Sequence, residues 1–141
     1  MIGNYKIIIG IDTGTSTGFA VWHKPEKRFL EIVTLMIHQA MNRVLHYHAT
    51  YGDDLFVRFE DARLRTWFKD KSVESLQGAG SIKRDCTIWD DFLKDNKIQY
   101  ASIAPRRGLT KIPDDKFKMY TGWTDRTSNH ARDAAMLVYG Y

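Results

Sequence analysis

The chain carries a single cysteine, Cys86, among 141 residues. One thiol cannot close a disulfide within the chain, and a reducing compartment is the natural expectation. Long apolar runs are missing too. The longest, such as Ile7 to Ile9, fall far short of the roughly 20 residues that span a bilayer. No basic, apolar, small-residue leader opens the sequence, so no secretion signal is expected. These absences point to a soluble, cytoplasmic protein with no membrane partner. Repeats, low-complexity tracts and an internal boundary are also lacking, and 141 residues is the size of one domain. Residues 1–141 are therefore expected to form a single domain. Neither sign of charge is in large excess. A net charge of +4 with a pI near 9.2 fits a polyanionic partner without demanding one.

Hydrophobic residues make up 43% of the chain, enough for one core, and their spacing predicts the elements. Tyr5 to Asp12 is an isoleucine-rich strand running into a turn signal, Thr13-Gly14-Thr15-Ser16-Thr17-Gly18. Phe19 to His23 and Phe29 to Met36 are two more strands, joined by the hairpin-loop chemistry of Lys24-Pro25-Glu26-Lys27. From Ile37 to Ala49 the period changes. Ile37, Met41, Val44, Leu45 and His48 recur at helical spacing, and Gly52 stops the helix. Leu55 to Glu60 returns to strand, and Arg63 to Ser72 reads as a basic loop that carries Trp67 and Phe68. Ser75 to Asn96 is a helix with an apolar stripe through Leu76, Ala79, Ile82, Cys86, Trp89 and Leu93. Its Gly78, Ala79 and Gly80 cost helix propensity and point to close packing, against the core or against a partner helix. Ile98 to Ile103 is a fifth strand, ended by Ala104-Pro105. Pro113 opens a short helix to about Tyr120, and Thr127 or Ser128 caps a last helix from Asn129 to Val138. The order β-β-β-α-β-α-β-α-α predicts an α/β fold, a mixed five-stranded sheet with helices on both faces.

Two of these strands deliver an acid where their apolar run stops: Asp12 in one and Glu60 in the other. A carboxylate so placed is costly unless it is paired, solvated or bound to metal. Asp61 follows Glu60 and could take its role, because neighbours on a strand face opposite ways and this strand is apolar on both faces. On the last helix, His130 and Asp133 stand at i, i+3 and share a face. Ala131, Ala134 and Ala135 let that helix sit close to its neighbours. Three carboxylates and an imidazole able to converge suit a divalent cation, with oxygen donors favouring Mg²⁺ or Mn²⁺. Each of these residues also has an ordinary reading, as a solvated strand end or a helix-dipole partner. The Gly10 to Gly18 turn lacks the Gly-Lys-Ser/Thr ending of a phosphate loop. His46 and His48, at i, i+2, diverge on their helix and make no zinc pair.

Four segments carry a family resemblance. Ile9-Gly10-Ile11-Asp12-Thr13-Gly14 with Gly18-Phe19-Ala20-Val21 resembles the first hairpin of the RuvC-type Holliday-junction resolvases, crossover junction endodeoxyribonucleases of the RNase-H-like superfamily. Phe59-Glu60 is similar to their second acidic strand, Ile103-Ala104-Pro105-Arg106 to their short element after the fifth strand, and Asn129 to Ala135 to their closing helix. Glu60 to Arg65 with Gln77-Gly78-Ala79-Gly80 resembles a phage and prophage subgroup. The resemblance implies an RNase-H-like sheet and a homodimer that cuts four-way DNA junctions. It implies a catalytic and metal-binding set of Asp12, Glu60, His130 and Asp133, holding two Mg²⁺ or Mn²⁺ ions per site. His130 stands where some relatives carry a fourth carboxylate. Imidazole accepts Mn²⁺ better than Mg²⁺.

Basic residues flank these acids in chain order. Arg58, Arg63, Arg65, Lys69 and Lys71 surround the Glu60 strand end, and Arg106, Arg107, Lys111, Lys116, Lys118 and Arg126 precede the last helix. A positive rim round an acidic centre neutralises the phosphates that are not being cut. Arg63, Arg65, Lys69, Arg106, Arg107, Lys111, Lys116 and Lys118 are the candidate DNA contacts. Trp67 and Phe68 are candidates either for stacking on unpaired bases at a branch point or for anchoring their loop.

Overall fold

The computed structural model describes residues 3–65, 73–105 and 112–141. Its centre is a five-stranded sheet in the order β3-β2-β1-β4-β5. The strands are β1 (Ile7–Asp12), β2 (Ser16–His23), β3 (Arg28–Met36), β4 (Leu55–Glu60) and β5 (Gln99–Ile103). The first three form an antiparallel meander, while β4 pairs parallel to β1 and β5 parallel to β4. Parallel neighbours need crossovers, and helices supply them. α1 (Ile37–Tyr51) leads to β4 and α2 (Val73–Asp95) leads to β5. Two further helices, α3 (Asp114–Thr121) and α4 (Asn129–Met136), complete the chain. The mixed α/β architecture and the order of strands and helices are those expected from the hydrophobic pattern.

The central strand explains the isoleucine run. Ile7, Ile8, Ile9 and Ile11 of β1 are all inaccessible to solvent, because helices cover both faces. On one face Ile7, Ile9, Ile11, Phe19, Val21, Val57 and Phe59 pack against Ala40 and Val44 of α1 and Cys86, Trp89 and Leu93 of α2. On the other, Ile8, Ala20, Trp22, Phe29 and Ile32 meet Phe117 of α3, Ala131, Ala134 and Ala135 of α4, and Val138 beyond it.

Three local expectations change. The segment to Gly18 reads as a turn, yet β2 begins at Ser16 and Gly18 sits inside it, opposite Asp12. Gly18 is glycine because a Cβ there would lie 1.9 Å from the His130 carbonyl oxygen, and one on Gly10 would lie 2.2 Å from that of Ala134. These glycines are slots for a helix backbone. The stripe on α2 runs out before its predicted end. Cys86, Trp89 and Leu93 are buried, but Ile82 is 40% exposed, and a Cβ on Gly78 or Gly80 would meet only open space. Those glycines do not pack on this chain's core. Pro113 is the N-cap of α3, one residue before its first helical position. The last helix begins where expected, with the Ser128 hydroxyl accepting from the Ala131 N–H at 3.1 Å. No helix among the described residues is long and apolar enough to cross a membrane.

Candidate active site at the strand ends

The parallel register pairs Ile11 with Phe59, so the next step along both strands sets Asp12 beside Glu60. Because Ile7, Ile9, Ile11, Val57 and Phe59 face α1 and α2, strand alternation turns Asp12 and Glu60 towards the α4 face. Both are half-buried. Asp61 goes the other way and is 1% exposed. Its N–H donates to the Ile103 carbonyl at 2.8 Å, and its carboxylate accepts from the Arg63 N–H (3.0 Å), Nε (2.9 Å) and Nη2 (2.8 Å). Burial pushes the Asp61 carboxyl up, but the hydrogen bonds and charge of Arg63 outweigh it and hold it below the usual carboxylate value. Asp61 raises Arg63 in turn. Of the two neighbouring acids, Glu60 shares the Asp12 face, while Asp61 is locked into an internal ion pair.

α4 brings the third group. His130 Nδ1 lies 3.0 Å from Asp12 Oδ2, across 118 residues of chain. Asp12 is 15% exposed at its side chain and His130 47%. With Nδ1 directed at Asp12, Nε2 is the ring nitrogen left to address a ligand. Asp133, three residues on, is half-buried on the same side of the helix.

Three devices fix α4 there. The first is the pair of glycine slots. The second is the Ser128 cap, whose hydroxyl also contacts that of Thr34 on β3. The third is Arg132, 7% exposed. Its Nε donates to the Ile112 carbonyl (2.9 Å) and its Nη1 to Thr127 Oγ1 (3.0 Å), with further bonds to Asn129 and Asp114. Sequence reasoning missed Arg132 as a positioning residue. The available signal was its place three to five residues after Thr127, Ser128 and Asn129, within reach of their oxygens.

The strand ends are also tied from behind. Thr13 Oγ1 donates to the Glu60 carbonyl at 3.2 Å and lies 3.4 Å from Cys86 Sγ, which itself donates to that carbonyl at 3.7 Å. Burial pushes the Cys86 thiol up, so it stays neutral. Its expected place in the core is the observed one, and its link to the acid-bearing strand end is new.

Among the described residues, no three His, Cys, Asp or Glu side chains gather into a ready-made metal cage. The donor chemistry still fits Mg²⁺ or Mn²⁺. Mg²⁺ keeps several of its waters and is commonly held by one or two carboxylates together with substrate phosphates. Asp12 and Glu60, side by side, offer that minimum.

The candidate DNA contacts divide. The Arg63 guanidinium is engaged inside the protein, by Asp61, by Asp90 at 3.6 Å and by the Thr87 hydroxyl at 3.3 Å. Arg65 is half-buried just past Glu60. On α3, Lys116 is exposed and Lys118 pairs with Asp114 at 3.3 Å. Trp67, Phe68, Lys69, Arg106, Arg107 and Lys111 lie outside the described residues. Arg58, on the Glu60 face of β4, is half-buried with its Cζ 4.5 Å from the Tyr141 ring centre. A surface concavity of about 500 Å³ lined by Glu31, Gln39, Asn42, Arg43, His46 and Tyr47 lies on the opposite face of the sheet, at α1.

A five-stranded mixed sheet in the order 3-2-1-4-5, with β1, β4 and β5 parallel and helices on both faces, defines an RNase-H-like fold. Within that class the chain is similar in structure to RuvC of T. thermophilus, solved in complex with a Holliday junction substrate. The TM-score is 0.58 at 14% sequence identity, over 92% of this chain and 88% of that one. No protein-family model matches the chain, and no curated protein matches it by sequence.

Proposed function

We propose that this chain is a metal-dependent endodeoxyribonuclease that hydrolyses branched DNA, with four-way (Holliday) junctions as its substrate. The observation that carries this reading is the placing of Asp12 and Glu60 at the neighbouring ends of parallel strands β1 and β4, with His130 3.0 Å from Asp12. The likeness to a junction-bound RuvC structure supports the choice of substrate.

Asp12, Glu60, His130 and Asp133 would hold Mg²⁺ or Mn²⁺, two ions per site. When bound, the cations supply Lewis-acid polarisation of the phosphate and charge for the leaving oxygen. The chain's own residues do the rest. The β1–β4 register holds two carboxylates at fixed spacing. Asp12 fixes the His130 ring through Nδ1, so that Nε2 addresses the reacting phosphate region and can hold a metal or a proton there. The alanine-faced helix carries Asp133 to the same side.

Junction resolution needs two cuts of matching geometry, and one chain has one acid cluster, so the acting species is a homodimer. The exposed stretch of α2 with Gly78, Gly80 and Ile82 is the surface for the second copy. Sedimentation with and without junction DNA checks this.

The experiment is cleavage of labelled four-way junction, Y-fork and linear duplex with Mg²⁺, Mn²⁺ or EDTA. The reading expects paired cuts in the junction that need metal, with a higher rate in Mn²⁺. Asp12→Asn, Glu60→Gln and Asp133→Asn should each abolish cutting and leave junction binding intact. An active Glu60→Gln beside a dead Asp61→Asn would reverse the assignment of the β4 acid. Single nicks in the fork alone would make this a flap or single-strand nuclease of the same fold. Binding without cleavage in any metal would make it a catalytically idle junction-binding protein.

A further inference from the structure

Arg58 stands on β4 opposite Gly10 of β1 and Ala101 of β5. It precedes Glu60 by two residues, so the two side chains leave the same face of the sheet, roughly 6.5 Å apart along the strand. The Ala134 carbonyl of α4 occupies the space over Gly10 on one side, and Ala101 on the other side is short. α4 packs on β2, β1 and β3, which leaves the β4–β5 part of this face without a covering helix among the described residues. Arg58 therefore lies beside α4, towards β5, on the face that carries the acid pair.

The environment of this arginine differs from that of Arg63 and Arg132. Arg63 is bonded to Asp61 and Arg132 to Asp114, Thr127, Asn129 and the Ile112 carbonyl. The Arg58 Nε is buried with no hydrogen-bond partner, and among the described residues its guanidinium has no carboxylate. Among the described residues its specific neighbour is the Tyr141 ring. Partial desolvation of a cation without an anion costs free energy, and a cation–π contact offsets only part of it. Stacking on a ring also leaves the guanidinium edge, with its planar fork of donors, free to meet a tetrahedral anion.

We propose that Arg58 binds a backbone phosphate of the nucleic-acid strand laid across the Asp12–Glu60 pair, one position along from the phosphate held at the acids. This deepens the nuclease reading and rests on it for the identity of the ligand. The acids repel a polyanion, and Arg58 is the cation that shares their face on β4. A planar fork two residues from Glu60 sets the register of the strand as well as its affinity.

The test measures binding of a labelled four-way junction in EDTA across a salt series, with thermal melting of each protein alongside. Arg58→Met keeps the length and removes the charge. At about 0.1 M salt it should bind about tenfold more weakly, with the slope of log K against log salt reduced by about 0.9, one phosphate contact. Its melting temperature should equal or exceed the parent's, because an unpaired half-buried charge has gone. Arg58→Lys should restore the slope but not the full affinity, since an ammonium lacks the fork. Unchanged affinity and slope in Arg58→Met would overturn the proposal. So would a lowered melting temperature with affinity intact, which would make Arg58 a structural residue. A parent protein that binds the junction but never cuts it removes the nuclease reading and leaves the phosphate contact standing. A parent that binds no DNA overturns both.

Discussion

The two faces of the sheet are built on different plans. The face under α1 and α2 is filled by large side chains, Phe19, Phe59, Trp89 and Leu93 among them. The face under α4 has large side chains of its own, Trp22, Phe29 and Phe117, but directly beneath α4 helix carbonyls fall into the slots left by Gly10 and Gly18. Side chains in a core can shift rotamers to absorb a small change. A carbonyl over a glycine has no such freedom. Both faces supply stability, but the glycine slots also set the position of α4, and substitutions at the two kinds of contact should separate these quantities.

The largest effect is expected at Gly18. The added Cβ of Gly18→Ala can be accommodated only if α4 retreats, which parts His130 from Asp12. Displacement of that order costs about 100-fold in rate, alongside about 1–3 kcal/mol of stability from overpacking. Junction cleavage and thermal melting read the two quantities, and a fully active Gly18→Ala would break the comparison. Leu93→Ala on the opposite face should lose about 2–5 kcal/mol with cleavage per folded molecule unchanged. Selective loss of cleavage in that variant would show that the α2 side also sets the site.

Asp61→Asn sharpens the contrast within one dipeptide, since Glu60 and Asp61 point to opposite faces. It should cost about 1–3 kcal/mol at neutral pH and spare cleavage, unlike Glu60→Gln. The pH dependence has a definite sign. Arg63 holds the folded-state pKa of Asp61 below its unfolded value. That stabilisation is complete above the unfolded value, about 3.9, and is lost as pH falls through the folded one. Parent and variant should converge in acid, as denaturant melts at a series of pH values would show. A constant gap down to the acid limb would mean that the Asp61–Arg63 charge pair is not its source. The smallest effect belongs to the exposed rim. Lys116→Ala should change stability by less than about 0.5 kcal/mol while lowering the salt slope of junction binding by about 0.9. An unchanged slope would remove Lys116 from the candidate DNA contacts.

The fold was legible wherever the hydrophobic period changed. The step from Met36 to Ile37 begins a helix in both pattern and structure, and Leu55 to Glu60 is a strand with the predicted bounds. What escaped depends on who the neighbour is. Gly18 looks like turn chemistry until the His130 carbonyl is seen above it. Glu60 and Asp61 are indistinguishable in a strand apolar on both sides, and only pairing with β1 and the reach of Arg63 separate them. Arg63 is visible in sequence only as a charge, and its internal partners Asp61 and Asp90 come from the fold. Ile82 continued a stripe that the core does not reach. Sequence placed Asp12 and Glu60 at the ends of their strands, and only the parallel register shows that those ends are neighbours.

The contact between Asp12 and His130 also has a consequence in time. The meander of β1, β2 and β3 closes short loops, whereas this pair closes a loop of more than a hundred residues, a step that costs more chain entropy and comes later. During synthesis, Asp12 and the meander emerge before α4, which follows every strand of the sheet. A chain interrupted between β4 and α4 holds its two strand-end acids but not the imidazole that meets Asp12, so an unfinished molecule lacks that contact.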